Sequence, residues 1–216
     1  VIMRGNIQSA IQQAIDGAPE RGFVESVEMA FTIRDVDLKI PTNRIQEEIR
    51  LPSGRGKPIR IAMFAGGEMA TKARAAGIDV IDPSTIEDLG GNRQKARKTA
   101  GQYDFFLSEI PHMGTVGRHL GAVLGPRGKM PRPVPPTLEP GNIATGLKDT
   151  AIVRSRDRVT FHTAVGSREQ GIDDLTSNAV AVWERVTGKL ERGAGNIRSC
   201  YVKTSMGPSV KVEVIG

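Results

Sequence analysis

The chain has 216 residues, with 30 Lys or Arg against 24 Asp or Glu, a net charge of +6 and an isoelectric point near 9.7. This basic balance favours polyanionic partners such as nucleic acid, while one Trp, two Tyr and six Phe are too few for a surface that stacks a series of unpaired bases. The lone Cys200 excludes an intramolecular disulfide and a cysteine zinc site, and no apolar run approaches the roughly 20 residues of a membrane helix, so we expect a soluble cytoplasmic protein.

The first predicted elements are a helix and a strand. In the stretch NIQSAIQQAID, apolar residues recur from Ile7 to Ile15 with the spacing of one helical face, and Gly17 follows as a stop signal. In VESVEMAFTI, every second residue from Val27 to Ile33 is large and apolar, which is the pattern of a half-buried strand. This N-terminal piece is too small to form a stable core alone.

From residue 59 the pattern changes to nearly continuous apolar strands. The strand segments IRIAMFA, IDVID and YDFFLSE alternate with helical segments such as GEMATKARAAG and HMGTVGRHLGAVLG. This alternation predicts a parallel sheet with helices on both faces. The segment that follows, LGPRGKMPRPVPP at residues 124–136, carries five prolines and two glycines and is predicted to be a rigid loop.

After about residue 150, alternating strands return. RVTFHTAV predicts a strand, DDLTSNAVAVWERVTGKL a helix with one apolar stripe, and CYVKTS with SVKVEV a hairpin that reverses at SMGP. Because neither end of the chain has enough strands for a stable sheet, we infer that the two ends fold together. The predicted fold class is α/β with two domains: a discontinuous α+β domain of the split β-α-β type, residues 1–57 and 151–216, and an inserted three-layer Rossmann-like α/β domain, residues 58–150.

Two features of the inserted domain bear on enzymatic function. A strand runs through Gly66 and Gly67 into a helix, an arrangement that could cradle a phosphate and that leaves a nucleotide-dependent enzyme as an alternative. The segment lacks both GxGxxG and a terminal Gly-Lys-Ser/Thr, so a tight turn is the better interpretation. His112, His119 and His162 have no metal-ligand spacing, and no GxSxG motif is present, so the sequence predicts neither a metal site nor hydrolysis.

The hairpin turn has the chemistry of an RNA contact. The hydroxyls of Thr204 and Ser205 stand beside Met206 and Gly207. Small hydroxyls and bare backbone can approach an RNA minor groove closely and pair with its 2′-hydroxyls. An ordinary turn rich in Ser and Thr fits the same pattern equally well.

The segment of residues 124–136 offers a second contact. Its three cations, Arg127, Lys129 and Arg132, would face a polyanion from a rigid backbone. The alternative is a stiff connection without a ligand.

Three motifs carry a family resemblance. LGPRGKMP, TSMGPSV and RGKPIRIAMFAGGEMATKARAAG resemble, in order and spacing, the ribosomal protein L-one family, whose members form the mobile L-one stalk of the large ribosomal subunit. The style of the insert looks archaeal. The resemblance implies a non-catalytic protein without cofactor that is monomeric when free. Its implied partners are large-subunit rRNA, the exit-site tRNA whose release it assists, and its own mRNA, which some members repress.

The resemblance also implies which residues touch RNA. The expected sites lie on the first strand, on the penultimate strand and in the hairpin turn. They are Phe23, Ser26, Glu28, Ser199, Ser205, Met206 and Gly207. This chain departs from the family pattern at Gly22, where Lys is frequent, and at Ser205, where Thr is frequent. A second alternative, a repressor that binds RNA without joining a ribosome, is compatible with the same residues.

Overall fold

This computed structural model describes residues 2–214 and divides them into two compact units. One contains the residues up to Lys57 and those from Asp149 onward, and the other spans Pro58–Lys148. The helices are α1 (Ile2–Asp16), α2 (Gly67–Ala75), α3 (Ile86–Gly91), α4 (Arg93–Gln102), α5 (Met113–Arg127), α6 (Pro140–Lys148) and α7 (Ile172–Lys189). The strands are β1 (Ser26–Ile33), β2 (Gln46–Arg50), β3 (Ile61–Phe64), β4 (Asp79–Ile81), β5 (Phe105–Glu109), β6 (Arg132–Val134), β7 (Thr150–Arg154), β8 (Thr160–Ser167), β9 (Ile197–Thr204) and β10 (Ser209–Val212).

The unit formed by both chain ends, called here the composite unit, contains a four-stranded sheet in the order β10-β9-β1-β8. All neighbouring strands in it are antiparallel. Strands β8 and β9, which α7 connects, are therefore parallel to each other with β1 between them. This is the split β-α-β arrangement, and it brings the N-terminal strand to the centre of a sheet made mostly from the C-terminal part of the chain.

The two faces of this sheet differ because β1 alternates strictly between buried and half-buried residues. The buried side, with Phe31 at its centre, packs against the apolar stripes of α1 and α7. Phe31 stacks on Phe161 of β8 and on Trp183 of α7, with ring centres 5.4 and 6.2 Å apart. Among the described residues, both helices of the composite unit pack on this side. The opposite side is called here the outer face.

A second, two-stranded sheet joins β2 to β7 in antiparallel register. The sequence analysis did not predict it, because three of the five residues of β2 are charged and its apolar alternation is hidden. Arg50 pairs with Thr150, so the composite unit resumes at Asp149, two residues earlier than the predicted boundary.

The inserted unit contains a parallel sheet in the order β4-β3-β5-β6. Every residue of β3 is buried, as expected for a strand covered on both faces. On one face Phe64 stacks on Phe106, 5.8 Å between ring centres, and packs against α3, α4 and α5. The mixed α/β class with a parallel sheet is therefore confirmed.

The segment predicted as a rigid loop, residues 124–136, is about half regular structure, which corrects the sequence prediction. Helix α5 continues through Pro126 to Arg127 and ends at Gly128, whose φ of 70° is left-handed. Strand β6 then pairs with β5 at the edge of the sheet. An edge strand tolerates Pro133 because its outer side needs no backbone donor.

Candidate nucleic-acid interface

The turn between β9 and β10 is fastened to the beginning of β1. The backbone N–H of Ser205 donates to the carbonyl of Ser26 at 2.9 Å, and the backbone N–H of Ser26 donates to the Ser205 hydroxyl at 3.1 Å. The sequence analysis assigned both residues to the RNA contact, and the structure brings them together. The Ser205 hydroxyl in turn donates to the carbonyl of Ser26 at 3.4 Å, which leaves a second lone pair on its oxygen for another partner.

Glu25 lies beneath this turn with only 1% of its surface exposed. Its carboxylate accepts the backbone N–H of Met206 at 2.8 Å and a guanidinium N–H of Arg168 at 3.2 Å. Burial alone would raise the pKa of Glu25, but the Met206 N–H, the neighbouring Thr204 hydroxyl and the charges of Arg21 and Arg168 outweigh it, so the pKa lies below its usual value. Glu25 is therefore a buried anion that holds the turn.

Arg168 links the same carboxylate to the segment that follows α1. It donates to the carbonyls of Ala18 at 2.8 Å and of Pro19 at 2.9 Å. Arg21 donates to the carbonyl of Met206 at 3.3 Å. The turn is thus connected by charged hydrogen bonds to two other segments, which fixes its shape before any ligand binds.

Gly207 is required by close packing and not by an unusual backbone angle. A Cβ at this position would lie 2.2 Å from the Thr204 hydroxyl oxygen and 3.0 Å from Cβ of Ala18. Beside it, the Met206 side chain is 60% exposed. The turn therefore presents bare backbone, a hydroxyl and an exposed thioether side by side.

The other predicted contacts on the strands share the outer face. Ser26, Glu28 and Ser199 are all half-buried there. Paired residues of β8, β1 and β9 form rows across this face, and from the turn outward these rows are Ala164–Glu28–Lys203, His162–Ala30–Tyr201 and Thr160–Thr32–Ser199. The strip from the turn to Ser199 is mostly polar, and its aromatic rings are those of His162 and Tyr201.

Sequence reasoning missed several residues of this strip, among them Tyr201, Lys203 and Lys57. The period-2 pattern could have found the first two, since both lie on the same side of β9 as Ser199. Lys57 is distant in sequence, and its ammonium group donates to the carbonyl of Val24 at 2.5 Å and to the hydroxyl of Ser26 at 3.1 Å.

Phe23 lies in the loop just before β1, and 53% of its surface is exposed. The backbone of this loop is held near the turn by Glu25, and by the Lys57 contact to Val24. An exposed aromatic ring beside hydroxyl groups and a cation can pack on a base or a ribose. The predicted site residues of the composite unit thus lie on one surface: the outer face, the turn and this loop.

The three cations of residues 124–136 contact their own unit. Lys129 donates to the carbonyls of Ala100 and Tyr103 at the end of α4, at 2.9 and 2.6 Å. Arg127 donates to a carbonyl one turn back in α5, at 3.0 Å. The Arg132 guanidinium lies 5.4 Å from the centre of the Phe105 ring. These contacts give each cation a structural role, and an RNA contact by them stays a prediction.

The Gly66–Gly67 segment is poorly suited to bind the phosphate of a nucleotide. The backbone N–H of Gly66, which precedes α2, donates to the carboxylate of Glu109 at 3.0 Å. Glu68 follows in the first turn of the helix. A phosphate at this helix N-terminus would meet two acidic groups, so the Gly66–Gly67 segment is better explained as a strand-to-helix turn.

No group of three His, Cys, Asp or Glu residues within residues 2–214 is arranged to hold a metal ion. No helix among them is long and apolar enough to cross a membrane.

The chain is similar to known proteins over almost its whole length. The model of the ribosomal protein L1p/L10e family matches residues 12–208. A protein of Methanothrix thermoacetophila called large ribosomal subunit protein uL1 is 47% identical over 211 residues, which cover 97% of this chain and 100% of that protein. Proteins with the same name in Pyrococcus horikoshii and Archaeoglobus fulgidus are 45% and 41% identical, covering 97% and 98% of this chain and 96% and 99% of their own lengths. These relatives are archaeal, in agreement with the style of the insert.

Proposed function

Since the chain belongs to the ribosomal protein L1p/L10e family, we propose that it is a structural constituent of the large ribosomal subunit and binds large-subunit rRNA. The rRNA would contact the outer face, the turn and the loop before β1. The relatives are named as ribosomal proteins and not as enzymes, so the protein has no catalytic role. Its place in the cell is the cytoplasmic ribosome.

The observation that carries this proposal is the preformed turn. Met206 donates its backbone N–H to the buried Glu25 carboxylate and accepts a hydrogen bond from Arg21 at its carbonyl, and Ser205 is bonded to Ser26. The turn nevertheless keeps an exposed Met206 and a half-buried Ser205 and Gly207 at the surface. Ordering a loop at the moment of binding reduces affinity, so a turn that is already fixed favours tight association. Hydroxyl and backbone groups pair with the 2′-hydroxyls and base edges of a shallow RNA minor groove.

We further infer two consequences of family membership. The protein and its rRNA form the mobile stalk near the tRNA exit site and assist the release of deacylated tRNA. The free protein also binds a similarly shaped segment of its own mRNA and represses translation, because one preformed surface accepts either RNA.

The test is binding of the purified chain to fragments of large-subunit rRNA over a salt series, with tRNA and random duplex RNA as competitors. Tight binding to one structured fragment that persists at high salt would support recognition by shape and hydroxyl contacts. Weak binding that disappears with salt and ignores the competitor would refute it, since only net charge would then be at work. Co-sedimentation with large subunits distinguishes a ribosomal protein from a repressor that acts alone.

The same salt series tests the second predicted contact. Replacing Arg127, Lys129 and Arg132 together by Ala should lower the salt slope if these cations touch RNA. An unchanged slope would assign them to the stability of the inserted unit alone.

A further inference from the structure

Three arginines lie at the end of the four-stranded sheet that is farthest from the turn. Arg34 follows β1, Arg158 precedes β8, and Arg198 is the second residue of β9. All three are exposed. Arg34 and Arg158 are 124 residues apart in the sequence, and Arg158 and Arg198 are 40 apart, so no charge run in the sequence marks the three as a group.

Backbone pairing holds these arginines at or next to the ends of adjacent strands. The N–H of Ile33 donates to the carbonyl of Val159 at 2.9 Å, and the N–H of Arg34 donates to the carbonyl of Asn196 at 2.8 Å. Neighbouring strands are about 4.8 Å apart. Since Arg34, Arg158 and Arg198 lie at or next to the ends of three adjacent strands, their backbones are expected to span roughly 10 Å across the sheet.

A β-bulge explains how Arg198 reaches solvent. Thr32 pairs with Ser199, but the next residue, Ile33, pairs with Ile197, so Arg198 is an extra residue without a partner on β1. Bulges re-aim side chains and occur near functional sites. Here the bulge keeps Ile197 in the core while Arg198 and Ser199 both reach the surface.

Two of the arginines have no partner within residues 2–214. The side chains of Arg158 and Arg198 make no hydrogen bond or ion pair there, whereas Arg34 donates to the carbonyl of Gly195 at 3.1 Å. Two acids lie nearby in the chain: Asp35, which is paired with Arg192, and Asp157. The three arginines thus retain an excess of positive charge at this end of the sheet.

We propose that Arg34, Arg158 and Arg198, named here the arginine end, bind the phosphate backbone of the same RNA whose hydroxyl groups are read at the turn. This inference rests on the proposed function. Its support is continuity, since Arg198 adjoins Ser199 and the row Thr160–Thr32–Ser199 is the last row of the polar strip. The footprint would follow all eight residues of β1, roughly 26 Å at about 3.3 Å per residue.

The two ends of this footprint have different chemistry. Hydroxyl and backbone contacts at the turn depend on the shape of the RNA and little on salt. Arginines on phosphates position the RNA without reading its sequence, and they release counterions, so their contribution falls as salt rises. The arginine end should therefore set the salt dependence of binding, while the turn sets the preference for one fragment.

The experiment measures affinity for the rRNA fragment that the wild-type chain prefers, from low to high salt, with random duplex RNA as competitor. In the double variant Arg158→Gln/Arg198→Gln, the slope of log K against log salt should fall by about two, close to one per lost phosphate contact. The preference for the fragment over random duplex should stay within about twofold. A matched control, Arg97→Gln/Arg118→Gln, removes the same charge from exposed positions on α4 and α5 and should leave the slope unchanged.

A third variant separates charge from local structure. Arg158→Lys/Arg198→Lys keeps both charges and should retain most of the wild-type slope, and circular dichroism should show all variants folded. A wild-type slope in the Gln variant, or an equal loss in the control, would overturn the arginine end while leaving the turn as the RNA site. A wild-type chain that prefers no fragment would overturn the proposed function and this inference with it.

Discussion

Replacing Gly207 by Ala should disturb the turn without unfolding the protein. The added Cβ would lie 2.2 Å from the Thr204 hydroxyl oxygen, whereas ordinary contacts begin near 3.4 Å. The oxygen or the turn must then move by about 1 Å, because van der Waals repulsion rises steeply at shorter distances. Thr204 is fully buried and cannot simply turn away.

The effects of Gly207→Ala on stability and on RNA binding can each be estimated. Overpacking of a well-packed site costs about 1–3 kcal/mol, which is less than the roughly 5–15 kcal/mol that stabilises an ordinary folded chain. A shift of the turn would also move Ser205 and Met206 away from their proposed RNA partners. The loss of one or two hydrogen bonds, each about 0.5–1.5 kcal/mol, would weaken RNA binding by about tenfold.

Two assays measure these effects: thermal or denaturant unfolding of the free protein, and affinity for the preferred rRNA fragment. The matched control is Gly5→Ala in α1, where a Cβ would meet nothing within 4 Å. That change should stabilise the protein by about 0.5–1 kcal/mol, since Gly is unfavourable within a helix. If Gly207→Ala behaved like Gly5→Ala in both assays, the close packing beneath the turn would be refuted.

Three other substitutions and one labelling experiment test the remaining features. Ser205→Val should weaken binding of the rRNA fragment by roughly 1–3 kcal/mol through an unpaired polar group, and a loss of under a few tenths would place the contact elsewhere. Lys129→Met should destabilise the inserted unit by about 1–3 kcal/mol in unfolding experiments, because two carbonyls at the end of α4 lose a charged donor. The pKa of Glu25 is lowered in the folded state, so the ionised carboxylate stabilises the fold above its ordinary pKa of 4.5, and this stabilisation is lost as the pH falls below that value. Glu25→Gln should therefore reduce the pH dependence of the unfolding free energy in that acid range. An unchanged pH dependence would count against the buried anion. Burial raises the pKa of Cys200 to about 12, so its thiol should react with a thiol reagent at pH 8 only as fast as the composite unit opens, and rapid labelling of the folded chain would contradict its burial.

The sequence predicted those parts of the fold whose periodicity is complete. The stripe from Ile7 to Ile15 and the alternation from Val27 to Ile33 both mark elements whose buried side belongs to one core, so the pattern is visible in a single segment. Strand β2 was missed because it is stabilised by backbone pairing with β7 and not by an apolar pattern of its own. Its pairing partner lies about a hundred residues further along the chain, and local propensity cannot register it.

Site prediction stopped at a similar limit. The motif around Ser205 marked the turn, but nothing local indicated that the acid 180 residues earlier, Glu25, holds it from below. A buried carboxylate looks like any surface Glu until the fold supplies Arg168 and the Met206 N–H as partners. Partners so distant in sequence have no spacing signature, and only the assembled sheet brings them together.

The hydrogen bonds of Glu25 explain why a charged residue, and not an apolar one, lies beneath the turn. An apolar residue of similar size could fill the space, but it would leave the Met206 N–H and the Arg168 guanidinium without this acceptor, and unpaired buried donors are costly. Arg168 in turn holds the carbonyls of the segment that follows α1, so the carboxylate connects helix, loop and hairpin in one network. Breaking one member should therefore loosen all three segments together. The turn, for which we propose an RNA contact, gains from this network a rigidity that simple apolar packing would not give.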